Sequence, residues 1–236
     1  IILVKIIMNK IPIYYINLER SKDRRNFFEN QIKEYNLQSD NIFRVEGIDG
    51  LNINMNEFNY KQDLTPFELG CTLSHLKAIQ QSYENEDEYS LIMEDDCNFE
   101  YVKYQKHSIQ ELIEYMNTKH SDWHILQLCT CCKLSTNQNL KRIDNLVCKG
   151  NQCCATCYLI NKNGMKNILN KDKFYNEADN YIYKKCKCYY KIKPYFTYNY
   201  SKDFNSNIHN VNEQSKSTNY KREDENKQFW DNYYFT

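Results

Sequence analysis

The amino-acid sequence predicts an α/β fold: one domain with a mostly parallel central sheet flanked by helices. Short apolar runs alternate with segments of helical apolar spacing. That alternation builds β-α-β units whose strands lie side by side. The charge pattern agrees. The run Leu91-Ile92-Met93 ends in Glu94-Asp95-Asp96, three carboxylates at the C-terminal end of a buried strand. Open α/β sheets bind their ligands at that end.

Ile11 to Leu18 reads as the first strand, with Pro12 near its start, where a missing N–H does least harm. Ser21 is placed to cap a helix whose stripe is Phe27, Phe28, Ile32 and Tyr35. Ile42 to Val45 is a second strand, and Gly47-Ile48-Asp49-Gly50 after it predicts a turn with positive φ. Thr65-Pro66-Phe67-Glu68 is a capping box with proline at the first helical position. The helix it opens should run to about Tyr83, with Leu69, Leu73, Leu76 and Ile79 inward. Tyr89 to Met93 is the third strand and Ile109 to Tyr115 part of the next helix. Trp123 to Leu128 and Cys153 to Ile160 read as core strands, and Asn161 or Asn163 as the cap of a short helix through Leu169. Ser201 to Lys227 is polar, without periodicity, and reads as loop; the aromatics near the end (Phe229, Trp230, Tyr233, Tyr234, Phe235) are candidates to dock on the body.

Composition narrows the classes. A chain of 236 residues suffices for one α/β domain with a full core. Hydrophobic residues at 41% and charged residues at 26% are globular values, which excludes wholesale disorder. Lys+Arg and Asp+Glu balance at 31 each, without the positive excess a nucleic-acid partner calls for. Eleven cysteines is an odd count in a chain too long to need disulfide staples, so reduced thiols and a cytoplasmic compartment are expected. The pairs Cys131-Cys132, Cys153-Cys154 and Cys186/Cys188 admit a zinc reading. Small apolar core residues are the default for them. Ile1 to Ile7 is far short of the roughly 20 residues that span a bilayer, so no integral membrane segment is expected.

Three adjacent like charges repel unless water or a cation screens them. Two readings follow for Glu94-Asp95-Asp96: a hard divalent cation, Mn²⁺ or Mg²⁺, bridging to a diphosphate, or a solvated acidic turn. Strand alternation would put Glu94 and Asp96 on one face and Asp95 on the other.

Taken in order, these segments resemble glycosyltransferase family 25, which includes lipopolysaccharide galactosyltransferases and collagen-modifying galactosyltransferase domains. The resemblance rests on Tyr15-Ile16-Asn17-Leu18-Glu19-Arg20 with Asp23-Arg24-Arg25, on Gly47-Ile48-Asp49-Gly50, on Leu64 to His75, and on Leu91 to Asp96. Cys157-Tyr158-Leu159-Ile160 with Gly164, and Asp179, extend it more weakly. It implies a GT-A-like single domain over residues 11–210, between an N-terminal extension (1–10) and a polar tail (211–236). It further implies metal-dependent, inverting transfer of galactose or glucose from a UDP-sugar to a hydroxyl of a glycan or protein acceptor, such as hydroxylysine of a collagen-like protein. Glu94, Asp96 and His209 would then hold the metal. Asn17, Leu18, Arg20, Arg24, Gly50, Glu68, Ser74, Glu94 and Asp95 would surround the nucleotide sugar. Asp179 would act as general base, and His75 would contact donor or acceptor.

Blander readings stand beside several of these. Glu68 has a full explanation in its capping box, Arg25 in a solvated helix face, and His75 as a satisfied core histidine. Asp179 could be an ordinary helix-start residue, and His209 a loop histidine without a role. The alternative for the whole chain is a catalytically inactive module that binds nucleotide sugar or glycan. A collagen-modifying role would place the protein in the secretory pathway instead of the cytoplasm. The lone Asn199-Tyr200-Ser201 sequon does not decide between them.

Overall fold

The computed structural model describes residues 11–35, 37, 39–130, 141–170, 173–184, 186–198, 228–229 and 231–232. The strands in chain order are β1 (Ile13–Asn17), β2 (Ile42–Glu46), β3 (Asn59–Tyr60), β4 (Tyr89–Glu94), β5 (Cys97–Asn98), β6 (Ile125–Gln127) and β7 (Cys129–Thr130). They continue with β8 (Lys141–Arg142), β9 (Val147–Lys149), β10 (Cys157–Asn161), β11 (Phe174–Tyr175), β12 (Cys188–Lys191) and β13 (Phe196–Tyr198). The α-helices are α1 (Lys22–Glu34), α2 (Pro66–Glu84), α3 (Ile109–Lys119), α4 (Lys162–Leu169) and α5 (Ala178–Tyr183).

One sheet of eight strands, ordered β2-β1-β4-β10-β6-β12-β9-β8, carries the fold. Strands β2, β1, β4, β6, β12 and β8 point one way; β10 and β9 are reversed. The expected parallel sheet is therefore interrupted at its centre by β10, antiparallel to both β4 and β6. Smaller sheets, β5-β13-β7 and β11-β3, flank it.

Alternation along the central strands divides the apolar residues between two faces. Ile13, Tyr15, Leu91, Met93, Cys157 and Leu159 point to one core, where Phe28 of α1 and Ile109, Leu112, Ile113 and Met116 of α3 meet them. Tyr14, Ile16, Ile92, Tyr158 and Ile160 point to the other, under Leu69, Ala78 and Ile79 of α2, Met165 and Ile168 of α4, and Ile182 of α5. The domain is an α/β/α sandwich. Its central strands are apolar on both faces because both faces are covered.

Local signals behave as the sequence predicts at α2, where the Thr65 hydroxyl accepts from Glu68 N–H at 3.2 Å and Glu68 reaches back to Thr65 N–H at 2.8 Å. Asn161 caps α4, accepting from Gly164 N–H at 2.9 Å. Ser21 stands at the start of α1 but makes no side-chain capping bond there. Two expectations need correction. The strand expected from Cys153 begins only at Cys157, because Cys154 adopts φ 138° and breaks the extended run. Neither Gly47 nor Gly50 has positive φ. Gly50 is required by proximity: a Cβ there would lie 2.6 Å from Phe67 Cα, inside any van der Waals contact. At the chain's far end Tyr101 donates to Asp231 at 2.6 Å, so that part of the tail touches the body; Trp230, Tyr233, Tyr234 and Phe235 lie outside the described residues.

Candidate functional site

Because β2, β1 and β4 are parallel and in register, Glu46, Asn17 and Glu94 finish at one edge of the sheet. The reversed strand β10 starts at the same edge, which brings Thr156 beside Glu94. Charge collects there because the strands stop together.

Strand β4 ends at Glu94, and Asp95 and Asp96 form the turn that follows. The alternation expected for the triplet fails for that reason. Asp95 and Asp96 act together, and Glu94 is the one set apart. A single Arg24 nitrogen from α1 lies 2.6 Å from Asp95 Oδ1 and 2.5 Å from Asp96 Oδ2. Asn17 donates to Asp95 Oδ2 at 2.7 Å and to Ser21 C=O at 3.0 Å, and accepts from Arg44 at 3.1 Å. Asp96 Oδ1 is buried and has no hydrogen-bond partner among the described residues. Burial pushes the Asp96 carboxyl well above the usual carboxylate range; Arg24 offsets part of this, while Glu94 and Asp95 push further. Asp95 is raised for the same first reason, against Arg24 and Asn17.

Glu94 belongs to a second cluster. Its Oε1 lies 3.1 Å from His75 Nε2 and 3.7 Å from Cys71 Sγ, and its Oε2 accepts from Thr156 at 3.1 Å. His75, fully buried, places Nδ1 3.2 Å from the Tyr158 hydroxyl. Burial alone would raise Glu94, but His75, Arg24 and Thr156 together leave its carboxyl below the ordinary value.

The remaining sequence candidates occupy the rim or the frame. Arg20 donates to Asp49 at 2.5 Å, and that pairing holds the Asp49 carboxyl below its ordinary value. The Ser74 hydroxyl accepts from Ile48 N–H at 2.7 Å and donates to Gly70 C=O at 2.6 Å, so it ties the 47–50 loop to α2. Gly50 permits the same contact, and half-buried Leu18 packs toward Gly47. Glu68 is engaged in its capping box. Arg25 pairs with Glu29 on the face of α1. Asp179, half-buried in the first turn of α5, is raised chiefly by desolvation and then by Cys153 and Cys154, and it acts through space on Cys71. His209 and Cys131-Cys132 lie outside the described residues, as does the Asn199 sequon.

Sequence reasoning passed over Cys71, Thr156, Tyr158, Asp49 and Arg44 as site residues. Cys71 and His75 carried a readable signal, since a four-residue spacing puts two side chains on one helix face. Thr156 and Arg44 carried none, because the pairing of β10 with β4, and of β1 with β2, decides what they touch.

Buried carboxylates and an arginine gathered at the ends of adjacent parallel strands have the construction of a ligand-binding α/β domain. The chain belongs to glycosyltransferase family 25: the family described as "Glycosyltransferase family 25 (LPS biosynthesis protein)" matches residues 10–183. Procollagen galactosyltransferase 2 of Mus musculus is 28% identical over 130 residues, 49% of this chain and 20% of that protein. Procollagen galactosyltransferase 1-A of Xenopus laevis is 27% identical over 176 residues, 68% of this chain and 28% of that protein. The chain thus spans less than a third of the length of these relatives. Among solved structures, the crystal structure of A197 from STIV aligns with a TM-score of 0.45 at 8% identity, over 76% of this chain and 81% of that one. Among the described residues no helix is long and apolar enough to cross a membrane.

Proposed function

We propose that the domain transfers a hexose, galactose or glucose, from a UDP-sugar to a hydroxyl of a glycan or protein acceptor, with inversion at the anomeric carbon. Membership of family 25 supports the class of reaction. The observation that carries the site is the buried Oδ1 of Asp96, without a hydrogen-bond partner among the described residues, at a strand end already crowded with carboxylates.

The donor set fits a hard divalent cation. Both Asp95 oxygens are engaged by Asn17 and Arg24, so Asp96 is the principal protein ligand. His209 from the C-terminal region completes the protein ligands in this reading. One or two carboxylates plus diphosphate oxygens are the usual holding of Mg²⁺ or Mn²⁺. When bound, such an ion supplies Lewis-acid neutralisation of the departing diphosphate.

Arg24 keeps Asp95 and Asp96 together, and its planar fork is of the kind that suits phosphate. Arg20, held by Asp49, is exposed and is the second arginine offered to the diphosphate in this reading. Asp179 takes the proton from the acceptor hydroxyl as the oxygen bonds to the anomeric carbon and the bond to diphosphate breaks. Its raised carboxyl moves toward the pH at which a general base works best. His75, fully buried, acts through its contact with Glu94 in this reading, as a positioning residue.

The test is UDP release from a panel of nucleotide sugars with Mn²⁺ present, with and without glycan and hydroxylysine acceptors. Asp96→Ala should abolish release and leave the fold intact, since Asp95 still pairs with Arg24. Full activity in that variant, or in metal-stripped wild type, would overturn the mechanism. Donor binding without any turnover would point to the inactive binding module.

A further inference from the structure

The structure assigns a second metal site, for a soft divalent cation such as Zn²⁺, to Cys71, His75 and Glu94. Its ligand set differs from that of the Asp96 site, which it adjoins through Glu94, and it does not depend on sugar transfer. Among the described residues this is the group whose thiol, imidazole and carboxylate ligand atoms all lie within 4.8 Å of one another. The separations are close to those of a metal shell. With Zn–S about 2.3 Å and Zn–N and Zn–O about 2.0–2.2 Å, a tetrahedron puts S···O near ~3.6 Å and N···O near ~3.4 Å. The distances here are 3.7 Å from Cys71 Sγ to Glu94 Oε1 and 3.1 Å from His75 Nε2 to the same oxygen.

Two features beyond the ligand atoms prepare the site. Cys71 and His75, four residues apart on α2, share a face turned toward the end of β4. The outer partners are in place as well. Tyr158 Oη lies 3.2 Å from His75 Nδ1, so the imidazole can donate there and free Nε2 for the ion. Thr156 donates to Glu94 Oε2 at 3.1 Å and fixes the carboxylate. Metal-bound histidines and carboxylates are ordinarily held in this manner. Binding releases the thiol proton of Cys71. The thiolate and the Glu94 carboxylate then balance the two charges of the ion, and three protein ligands leave one position for water. None of the cysteine pairs conspicuous in the sequence takes part, since Cys71 stands alone in the chain.

The test uses the full chain, stripped with chelator and titrated with Co²⁺ in place of Zn²⁺, without nucleotide. One equivalent should bring in thiolate-to-cobalt absorption in the near ultraviolet together with intense visible bands of a four-coordinate ion, and Zn²⁺ should displace it. Cys71→Ser should remove the charge-transfer band; Asp96→Asn should keep it. X-ray absorption on zinc-loaded wild type requires no variant: one sulfur at about 2.3 Å with nitrogen and oxygen completing the shell is expected. A shell without sulfur, or with three or more, would overturn the assignment, as would a charge-transfer band that survives in Cys71→Ser. A sulfur-rich shell would implicate the hydrogen-bonded thiols Cys97, Cys129 and Cys157.

Discussion

Arg24→Gln removes the cation that, among the described residues, Asp95 and Asp96 share, and its cost can be bounded from the structure. The side chains concerned are 11%, 7% and 8% exposed, so solvent does little to replace the lost charge. If one carboxyl escapes by taking a proton at pH 7, the ceiling is about 1.36 × (7 − 3.9), or roughly 4 kcal/mol. Because Asp96 is already raised in the wild type, part of that is spent beforehand; the floor is the worth of a charged hydrogen bond, about 1.5–3 kcal/mol. A loss of about 2–4 kcal/mol follows at pH 7. Its pH dependence gives the sharper check. A carboxyl with a raised folded pKa imposes no penalty below its unfolded value near ~4, and a penalty that grows as pH climbs toward the folded value. The variant raises that upper limit, so its deficit should widen from pH 5 to pH 8 by up to about 1.4 kcal/mol per unit. Urea unfolding followed by circular dichroism, in chelator, measures both proteins across that range. A deficit that is flat with pH, or larger at pH 5 than at pH 8, would refute the shared-cation reading.

Two further substitutions address the frame of the site. Gly50→Ala should cost about 1–3 kcal/mol, the usual penalty for overpacking, because the new Cβ meets backbone 2.6 Å away in α2 and not a side chain that can swing aside; an unchanged urea midpoint would contradict the contact. Thr65→Ala should cost about 1 kcal/mol through the lost capping box of α2. Hydrogen exchange should show the loss as faster opening of the first turn of α2, and equal protection in both proteins would count against it.

The fold was legible where chemistry is local. A capping box, an apolar stripe or a strand-length apolar run is written in neighbouring residues, and α2, α4, β1, β2 and β4 follow from such signals. The reversal of β10 was not, since Cys157 to Ile160 reads the same in either direction and only its place between β4 and β6 sets its sense. The site was half legible for the same reason. Three carboxylates at a strand end could be read as a charged site, but their partition could not. It depends on the strand ending at Glu94, after which period-two alternation no longer applies. Arg24 was within reach of sequence reasoning; Thr156 and Tyr158 were not, because their roles arise from sheet pairing across more than sixty residues.

Glu94 is the point at which the two clusters meet. Its charge pushes Asp96 upward, while its own carboxyl is held down by His75, Arg24 and Thr156 against the desolvation that would raise it. These opposite shifts make Glu94→Gln informative. Losing a carboxylate whose pKa is depressed removes stability that is fully present above its unfolded value near ~4.3 and is constant from there upward. The same substitution relieves Asp96, whose penalty begins near ~4 and grows with pH, so the relief is largest in alkaline solution. The variant should therefore be less stable than wild type at pH 5 and close part of that gap by pH 8, read by urea unfolding in chelator. A gap that stays flat from pH 5 to pH 8 would mean that Glu94 and Asp96 do not feel one another, and the strand end would then be two independent sites; a gap that widens would contradict the relief of Asp96 outright.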